Sequence, residues 1–306
     1  MPPRRSPESR VVAVVGPTAA GKSDLAVDLA LRLSGEVVNA DSMQVYRGMD
    51  IGTAKLSLEE RRGVPHHLLD VLDVTEPATV AEFQAMARAA VDDCLVRGIV
   101  PVLVGGSALY VRAVLDRFDF PGTDSAVRAR LEAELAEVGA EGMHKRLAAS
   151  DPEVAARILP SNARRVVRAL EVRQITGEAY RASLPPRAYA YEGAVQVGVD
   201  VPGETLDRRI EERVDRMFRA GLVDEVRGLV ARGLREGRTA SRALGYAQVL
   251  RYLDGQITEQ EARTETVRAT RRFARRQDSW FRKDPRIHWI PYDAADRVDR
   301  AVEVAG

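Results

Sequence analysis

The sequence predicts an α/β fold, a doubly wound parallel sheet around a phosphate-binding loop, with a mostly helical insertion domain. Three observations lead to this prediction. Apolar, strand-like runs alternate with helical patterns over residues 11–117, which is typical of parallel sheets. A Gly-x-x-x-x-Gly-Lys-Ser motif follows the first run and opens a helix. The pattern is then nearly all helical over residues 118–174, and strand character returns at residue 194.

The phosphate-binding loop lies between a predicted buried strand, residues 11–15, and a predicted helix, residues 22–33. Its glycines let backbone N–H groups face phosphate oxygens, and the helix N-terminus adds partial positive charge. Lys22 would neutralise the outer phosphate, and the Ser23 hydroxyl would bind Mg²⁺. The motif specifies a diphosphate but not the rest of the ligand. The residues expected to contact it are Gly16, Pro17, Thr18, Ala19, Ala20, Gly21, Lys22 and Ser23.

The remaining elements of the first part follow in order. A second strand at 36–40 ends at Asp41, and a long irregular segment, typical of functional loops, runs to residue 79. A helix at 80–97 leads to a third strand at 99–104, which ends in Gly-Gly-Ser before a helix at 109–115. Ligands of parallel sheets bind at the carboxyl ends of strands, so Asp41 and residues 105–107 should gather near the phosphate loop.

The second part begins as a helical insertion rich in Ala, Glu and Arg. A loop at 183–191 precedes a strand at 194–201, and helices follow at 204–220, 223–232 and 243–253. Thr258 and Glu261 form a capping-box pattern that opens a long helix to about residue 283, before a last strand at 287–291. We therefore expect a core at 11–117, an insertion at 118–193 and completion of the core at 194–292.

Composition excludes several classes of protein. The 306 residues are 45% hydrophobic and 30% charged with a net charge of +1, as in a globular protein. The chain has one cysteine, Cys94, so neither a disulfide framework nor a thiolate zinc site is expected, which fits a reducing cytoplasm. Cys94 is interpreted as a buried small hydrophobe. No apolar run reaches the roughly 20 residues of a membrane span, and a cytoplasmic monomer is expected.

Two further features are weaker. Adjacent histidines on one element point apart, so His66 and His67 are interpreted as structural or loop contacts, with substrate contact left open and no metal site expected. Asp41 is the one acid placed near the phosphates, since the strand at 99–104 ends without a carboxylate. It would serve a metal ion or act as general base on an acceptor. The alternative is a turn cap, which is common for Asp-Ser.

Two basic clusters favour a polyanionic partner. Arg164, Arg165 and Arg168 share one helical face, and residues 264–283 hold seven basic residues against two acidic ones. Within the second cluster, one stripe consists of Arg268, Arg271, Arg272 and Arg275, and the aromatic residues Phe273, Trp280 and Phe281 interleave with it. The alternative is a solvated helix face with its aromatic side chains in the core.

The motifs of this chain resemble one family, the bacterial tRNA dimethylallyltransferases, also called tRNA isopentenyltransferases. The likeness runs from residue 11 to about residue 289. It rests on GPTAAGKS at 16–23, DSMQVY at 41–46, GMDIGTAK at 48–55, PHHLLD at 65–70 and VGGSALY at 104–110. It continues through RALE at 168–171, Gly245-Tyr246 and the Arg-Gln-x-x-Trp-Phe-Arg pattern that ends at residue 282.

The resemblance implies transfer of a dimethylallyl group from dimethylallyl diphosphate, with Mg²⁺, to N6 of the adenosine 3′-adjacent to the anticodon of tRNA. It implies that Asp41 accepts the N6 proton and that Arg213 contacts the diphosphate. It further implies a flipped adenine and an insertion domain that grips the anticodon stem. The residues implied to contact tRNA are Asp41, Ser42, Met43, Gln44, Ser107, Arg128, Arg164, Arg165, Arg168, Arg242, Gly245 and Tyr246.

This chain departs from the family pattern at two positions. Position 107 is Ser where the family more often has Thr, which keeps the hydroxyl, and Ala247 stands where a basic residue is common. Three other functions compete with the implied one. They are a small-molecule kinase that uses ATP at the same loop, an enzyme that prenylates free adenine nucleotides, and a non-catalytic RNA-binding protein.

Overall fold

A six-stranded parallel sheet organises the chain, in the order β3–β2–β4–β1–β5–β6. The structure is a computed structural model that describes residues 10–118, 120–180 and 185–306. The predicted fold class is confirmed. Strand bounds are β1 (Arg10–Val15), β2 (Gly35–Asn39), β3 (His66–His67), β4 (Val100–Gly105), β5 (Gly193–Asp200) and β6 (Ile287–Pro291).

Helices alternate with these strands along the chain. Six of the seven helices with predicted bounds lie within two residues of them, the helix predicted at 243–253 begins three residues later, and the last helix was not predicted. The helices are α1 (Lys22–Leu33), α2 (Val80–Val96), α3 (Ala108–Leu115), α4 (Ser125–Ser150), α5 (Pro152–Ala155), α6 (Ala163–Thr176), α7 (Gly203–Arg219), α8 (Leu222–Val230), α9 (Tyr246–Leu253), α10 (Glu259–Phe281) and α11 (Arg297–Ala305). The predicted capping box at Thr258 and Glu261 opens α10. Within the described ranges, no helix combines the length and the hydropathy needed to cross a bilayer.

The sheet is buried on both faces. Val11, Ala13 and Val15 of β1 pack into one apolar cluster, whereas Val12 and Val14 pack into a second cluster that includes α1. All five side chains are fully buried, as period-two alternation requires in a strand with helices on both sides. β1 therefore forms the centre of the core, and the phosphate loop leaves it directly.

Strand register brings the predicted functional segments together. β2 and β4 pair in parallel with Asn39 opposite Val104, so residues 40–41 lie beside residues 105–107. The contact is close, because a Cβ atom on Gly105 would come within 2.6 Å of the Ala40 carbonyl oxygen. Only glycine fits there, and the predicted gathering of these segments at the carboxyl edge of the sheet is confirmed.

The chain divides into two compact units, one of residues 1–116 and 189–306 and one of residues 117–188. The smaller unit has its own apolar core, which includes Leu131, Met143, Leu147 and Leu170. Its longest helix, α4, is interrupted at Gly139, where φ is 70°. Residues 117–188 thus form a helical unit with a separate core.

Candidate active site

The phosphate loop has the conformation that its motif predicts. Gly21 lies at the N-cap of α1 with φ 94°, a left-handed conformation that favours glycine. The first N–H groups of α1 have no partner within the helix, so they are available to an anion. Lys22 Nζ donates a hydrogen bond to the Pro17 carbonyl at 2.7 Å, which folds the lysine back over the loop.

A glutamine from α10 holds this loop; Gln277 belongs to the Arg-Gln-x-x-Trp-Phe-Arg pattern, but the pattern does not indicate this role. Gln277 Oε1 accepts a hydrogen bond from the Thr18 N–H at 2.9 Å, and its Nε2 donates to the Gly106 carbonyl at 2.7 Å. Gln277 is buried, and a Cβ atom on Gly106 would collide with its amide nitrogen. One side chain therefore connects the phosphate loop, the end of β4 and helix α10.

Two cations and the Asp41 carboxylate converge on the loop. Burial, and then the positive charge of Arg213, lower the pKa of Lys22 to about 7, against the attraction of Asp41. Burial also lowers the pKa of Arg213, and the charge of Asp41 again opposes the shift. Arg213 donates to the Thr53 carbonyl at 3.2 Å. Excess positive charge at the loop is what a bound diphosphate would neutralise.

Asp41 caps a turn, which is the alternative that the sequence analysis left open for it. Its Oδ1 atom caps a turn by accepting the Met43 N–H at 2.8 Å, while Asn39 bonds both its backbone N–H and its carbonyl. The other carboxylate oxygen accepts no hydrogen bond within the described ranges. The Tyr110 hydroxyl lies near Asp41 and hydrogen-bonds Ser42. Burial raises the pKa of Tyr110 to about 12.

The loop that follows Asp41 is fixed by the half-buried carboxylate of Glu225. Glu225 accepts three backbone N–H groups, those of Asp50, Ile51 and Gly52, at 3.1, 2.7 and 3.2 Å. The Tyr246 hydroxyl donates to the same carboxylate at 2.6 Å. Burial and the charge of Glu225 raise the pKa of Tyr246, so the phenol stays protonated.

Lys55 fixes the same loop from within. Its ammonium group contacts the Asp50 and Asp70 carboxylates at 2.5 and 2.6 Å and donates to the Tyr46 carbonyl at 3.0 Å. Only 3% of its side chain is exposed. The Lys55 ammonium group is therefore held by three contacts within the protein.

A cleft of about 930 Å³ opens beside the phosphate loop in the larger unit. Lys22 and Ser23 line it, as do Arg209, Arg213 and Arg216 of α7. Apolar side chains complete the wall at Ile51, Leu56 and Met217. The cleft thus joins an anion-binding end to an apolar surface.

The predicted tRNA contacts in the larger unit have different surroundings. Ser107 is the half-buried N-cap residue of α3, and Arg242 is exposed. Gln44 donates to the Thr53 carbonyl at 3.2 Å. Gly245 and Tyr246 are buried. The contact predicted for Tyr246 needs correction, because its side chain is fully buried against Gly52 and supports Glu225.

In the smaller unit, Arg128 and Arg168 are structural. Both pair with the fully buried carboxylate of Glu171, Arg168 at 2.7 Å, and Arg168 also donates to the Gly122 carbonyl at 3.1 Å. Arg164 and Arg165 lie on the exposed face of α6. The four predicted arginines thus separate into an inner pair and an outer pair, and the outer pair is better placed to contact a polyanion.

The basic stripe of α10 separates in the same way. Arg271 pairs with Glu211 and Arg275 with Asp207, both at 2.7 Å and both acids on α7. Arg268 and Arg272 are exposed. Arg271 and Arg275 therefore connect α10 to α7. Their acidic partners are 60 or more residues away in sequence, so the pattern of the stripe does not reveal these pairs.

The chain is similar to known proteins over most of its length. The IPP transferase family model matches residues 44–284 of the chain. A tRNA dimethylallyltransferase of Thermobifida fusca is 66% identical over 298 residues, which cover 96% of this chain and 93% of that protein. One of Streptomyces avermitilis is 67% identical over 293 residues, covering 96% and 94%.

Solved structures are similar as well. The crystal structure of a tRNA isopentenylpyrophosphate transferase from Bacillus halodurans superposes with a TM-score of 0.71 at 41% identity, covering 97% of this chain and 95% of that one. A eukaryotic dimethylallyltransferase, described as acting on tRNA, gives a TM-score of 0.80 at 25% identity over 96% and 76% of the two chains.

Proposed function

This chain belongs to the IPP transferase family as one of the tRNA dimethylallyltransferases, and from that membership and the site we propose how it carries out the transfer. The donor is dimethylallyl diphosphate, and the acceptor is N6 of the adenosine 3′-adjacent to the anticodon. The observation that carries this proposal is the convergence of Lys22, Arg213 and Asp41. Two cations serve the leaving diphosphate, and one carboxylate is close enough to influence both.

The donor end of the proposed site is the cleft beside the phosphate loop. The diphosphate would lie against the N-terminus of α1 and the two cations, and the dimethylallyl group along the apolar wall at Ile51 and Met217. The Ser23 hydroxyl and the diphosphate oxygens are hard ligands that suit Mg²⁺. Bound there, Mg²⁺ would neutralise part of the charge that develops on the leaving group.

The acceptor end is the turn that follows β2. N6 of the adenosine forms a bond to C1 of the dimethylallyl group as the bond from C1 to the diphosphate oxygen breaks. The N6 proton passes to Asp41, whose second carboxylate oxygen is free to accept it. Ser42, Met43 and Gln44 would hold the base, which must leave its stack to reach this turn. The exposed arginines, Arg164, Arg165 and Arg242, would contact the tRNA backbone.

This arrangement distinguishes prenyl transfer from phosphoryl transfer. β4 runs beside β1 and β2, where a phosphate-loop ATPase commonly carries a metal-binding acid, and it ends in Gly105, Gly106 and Ser107. Prenyl transfer needs no water or hydroxyl activated against a γ-phosphate. The site therefore supports a prenyl donor better than ATP.

The test is mass spectrometry of nucleosides from anticodon stem-loops incubated with the protein, Mg²⁺ and dimethylallyl diphosphate. We expect N6-dimethylallyladenosine at the position 3′ of the anticodon and no requirement for ATP. ATP hydrolysis or phosphoryl transfer without prenylation would favour a kinase. Prenylation of free adenine nucleotides but not of RNA would show that the acceptor is a free nucleotide. RNA binding without any prenylation would indicate a non-catalytic RNA-binding protein.

A further inference from the structure

Three side chains with metal-binding atoms meet at the sheet edge, near the amino end of β2. They are Glu36 of β2, His67 of β3 and Cys94 of α2. His67 Nε2 lies 2.6 Å from Glu36 Oε2, Cys94 Sγ lies 3.5 Å from the same oxygen, and Sγ and Nε2 are 3.8 Å apart. Neither the phosphate loop nor the tRNA contacts proposed above use these residues.

The triangle formed by these atoms has the size of one face of a metal coordination shell. From the three separations, the point equidistant from all three atoms lies about 2.0 Å from each. Zn²⁺ binds His nitrogen and carboxylate oxygen at roughly 2.0–2.2 Å and Cys sulfur at about 2.3 Å. An ion above the plane of the triangle would reach all three atoms once the His67–Glu36 separation widens from 2.6 Å to the roughly 3.3 Å between two ligands of a zinc tetrahedron.

Arg97 already supplies a cation to this cluster. One of its guanidinium nitrogens, Nη2, lies 2.7 Å from Glu36 Oε2 and 3.5 Å from Cys94 Sγ. The arginine side chain is 39% exposed and also contacts Asp93 at 2.8 Å. It can therefore leave Glu36 and keep an ionic partner.

We propose that Glu36, His67 and Cys94 form a binding site for Zn²⁺, in which the metal ion displaces Arg97 towards Asp93. A mixed set of nitrogen, oxygen and sulfur ligands is typical of zinc, and water would complete the tetrahedron. Binding converts the Cys94 thiol to a thiolate, and the proton is released to solvent.

Such an ion would join three elements that differ in how firmly they are held. β2 and α2 belong to the core, whereas β3 is a two-residue edge strand. Asp41 follows Glu36 by five residues, and Asp70, which pairs with Lys55, follows His67 by three. Zinc would therefore hold β3 in place, and with it the end of the loop that runs from Asp41 to His67.

The experiment measures Zn²⁺ uptake by the full chain after treatment with a chelator, in excess Mg²⁺ to occupy oxygen-ligand sites. Affinity and stoichiometry come from competition with a chromophoric chelator. A parallel titration with Co²⁺ follows the near-ultraviolet charge-transfer band of a thiolate ligand, which only Cys94 can produce because the chain has one cysteine. The Co²⁺ measurement needs no variant, so misfolding cannot obscure it.

We expect one Zn²⁺ per chain and a thiolate band with Co²⁺. Cys94→Ser and His67→Ala should each weaken Zn²⁺ binding at least tenfold, whereas Arg97→Ala should strengthen it by removing the competing cation. His66→Ala is the matched control, because the His66 ring is bonded to the Val64 carbonyl instead. A wild-type chain without stoichiometric uptake or without the thiolate band overturns the proposal. Uptake that survives Cys94→Ser, or that falls equally in His66→Ala, overturns it too.

Discussion

The pKa of Lys22 predicts how donor use depends on pH. The free site holds this pKa at about 7 through burial and the nearby charge of Arg213. A neutral lysine cannot balance the charge of a diphosphate, so the protonated form is the one that captures the donor. We therefore expect kcat/KM for dimethylallyl diphosphate to fall as the pH rises, with an apparent pKa near 7, because this parameter reports the enzyme before the donor binds.

The expected size follows from the protonated fraction. With a pKa of about 7, roughly 3% of Lys22 is protonated at pH 8.5, so kcat/KM should lie about 30-fold below its low-pH plateau. Above pH 7 a terminal phosphate is already fully ionised, since its last pKa is near 6, so the donor contributes little. In the bound complex the diphosphate raises the pKa of Lys22, and the fall in kcat should appear at higher pH.

The assay is initial-rate prenylation of an anticodon stem-loop at saturating RNA, with donor concentration varied at each pH from 6.5 to 9. Lys22→Arg is the control, because a guanidinium stays charged over this range, and its profile should be flat even if its rate is lower. A wild-type kcat/KM that changes less than about threefold between pH 7 and 8.5 would refute the reasoning, as would a Lys22→Arg profile that matches the wild type.

Three further predictions follow from the site. Asp41→Asn keeps the bond to the Met43 N–H but cannot take a proton, so single-turnover prenylation should fall by about 10²–10⁴-fold while tRNA binding changes little. Gln277→Ala leaves two backbone groups without their partner, so KM for the donor should rise by roughly tenfold or more with tRNA affinity preserved, measured by steady-state kinetics and RNA binding. Arg164→Ala should lower the salt slope of tRNA binding by about 1 at unchanged melting temperature, whereas Arg168→Ala should destabilise the helical unit by about 2–4 kcal/mol in denaturant unfolding.

Each of these has a contrary outcome. Near-wild-type turnover by Asp41→Asn at saturating substrates would remove its role as base. An unchanged KM for the donor in Gln277→Ala would mean that this glutamine does not support the phosphate loop and only packs within α10. If Arg168→Ala weakened tRNA binding without loss of stability, the assignment of that arginine to Glu171 would be wrong.

Local patterns in the sequence predicted most of the sheet. β1 and β4 are short apolar runs that each end at a glycine, so their apolar character and their carboxyl ends are visible in the sequence. The sequence did not predict β3, because two residues are too few to show an alternating apolar pattern. β3 exists only because β2 offers a parallel edge beside it. The order of strands also depends on such pairings and not on any local signal.

The site was predictable where a motif fixes the backbone, and much less so where long-range pairing decides. The phosphate loop and Asp41 came from motif and strand order. Gln277 stands in the Arg-Gln-x-x-Trp-Phe-Arg pattern, but its role depends on a loop about 260 residues away in sequence, which no local pattern reveals. Tyr246 and Arg168 carry polar groups that suit RNA as well as they suit an internal carboxylate. Only tertiary structure distinguishes these two uses.

The pairing of β1 with β5 constrains the way in which the chain can fold during synthesis. Ala13 and Gln196 are neighbours in the sheet although about 180 residues separate them. Until the ribosome has made β5, the central strand has an open edge, and the growing chain carries an exposed apolar strand. The helical unit at 117–188 depends on shorter-range contacts and can form first. Premature termination near residue 190 should therefore release a folded helical unit attached to an incomplete, aggregation-prone sheet.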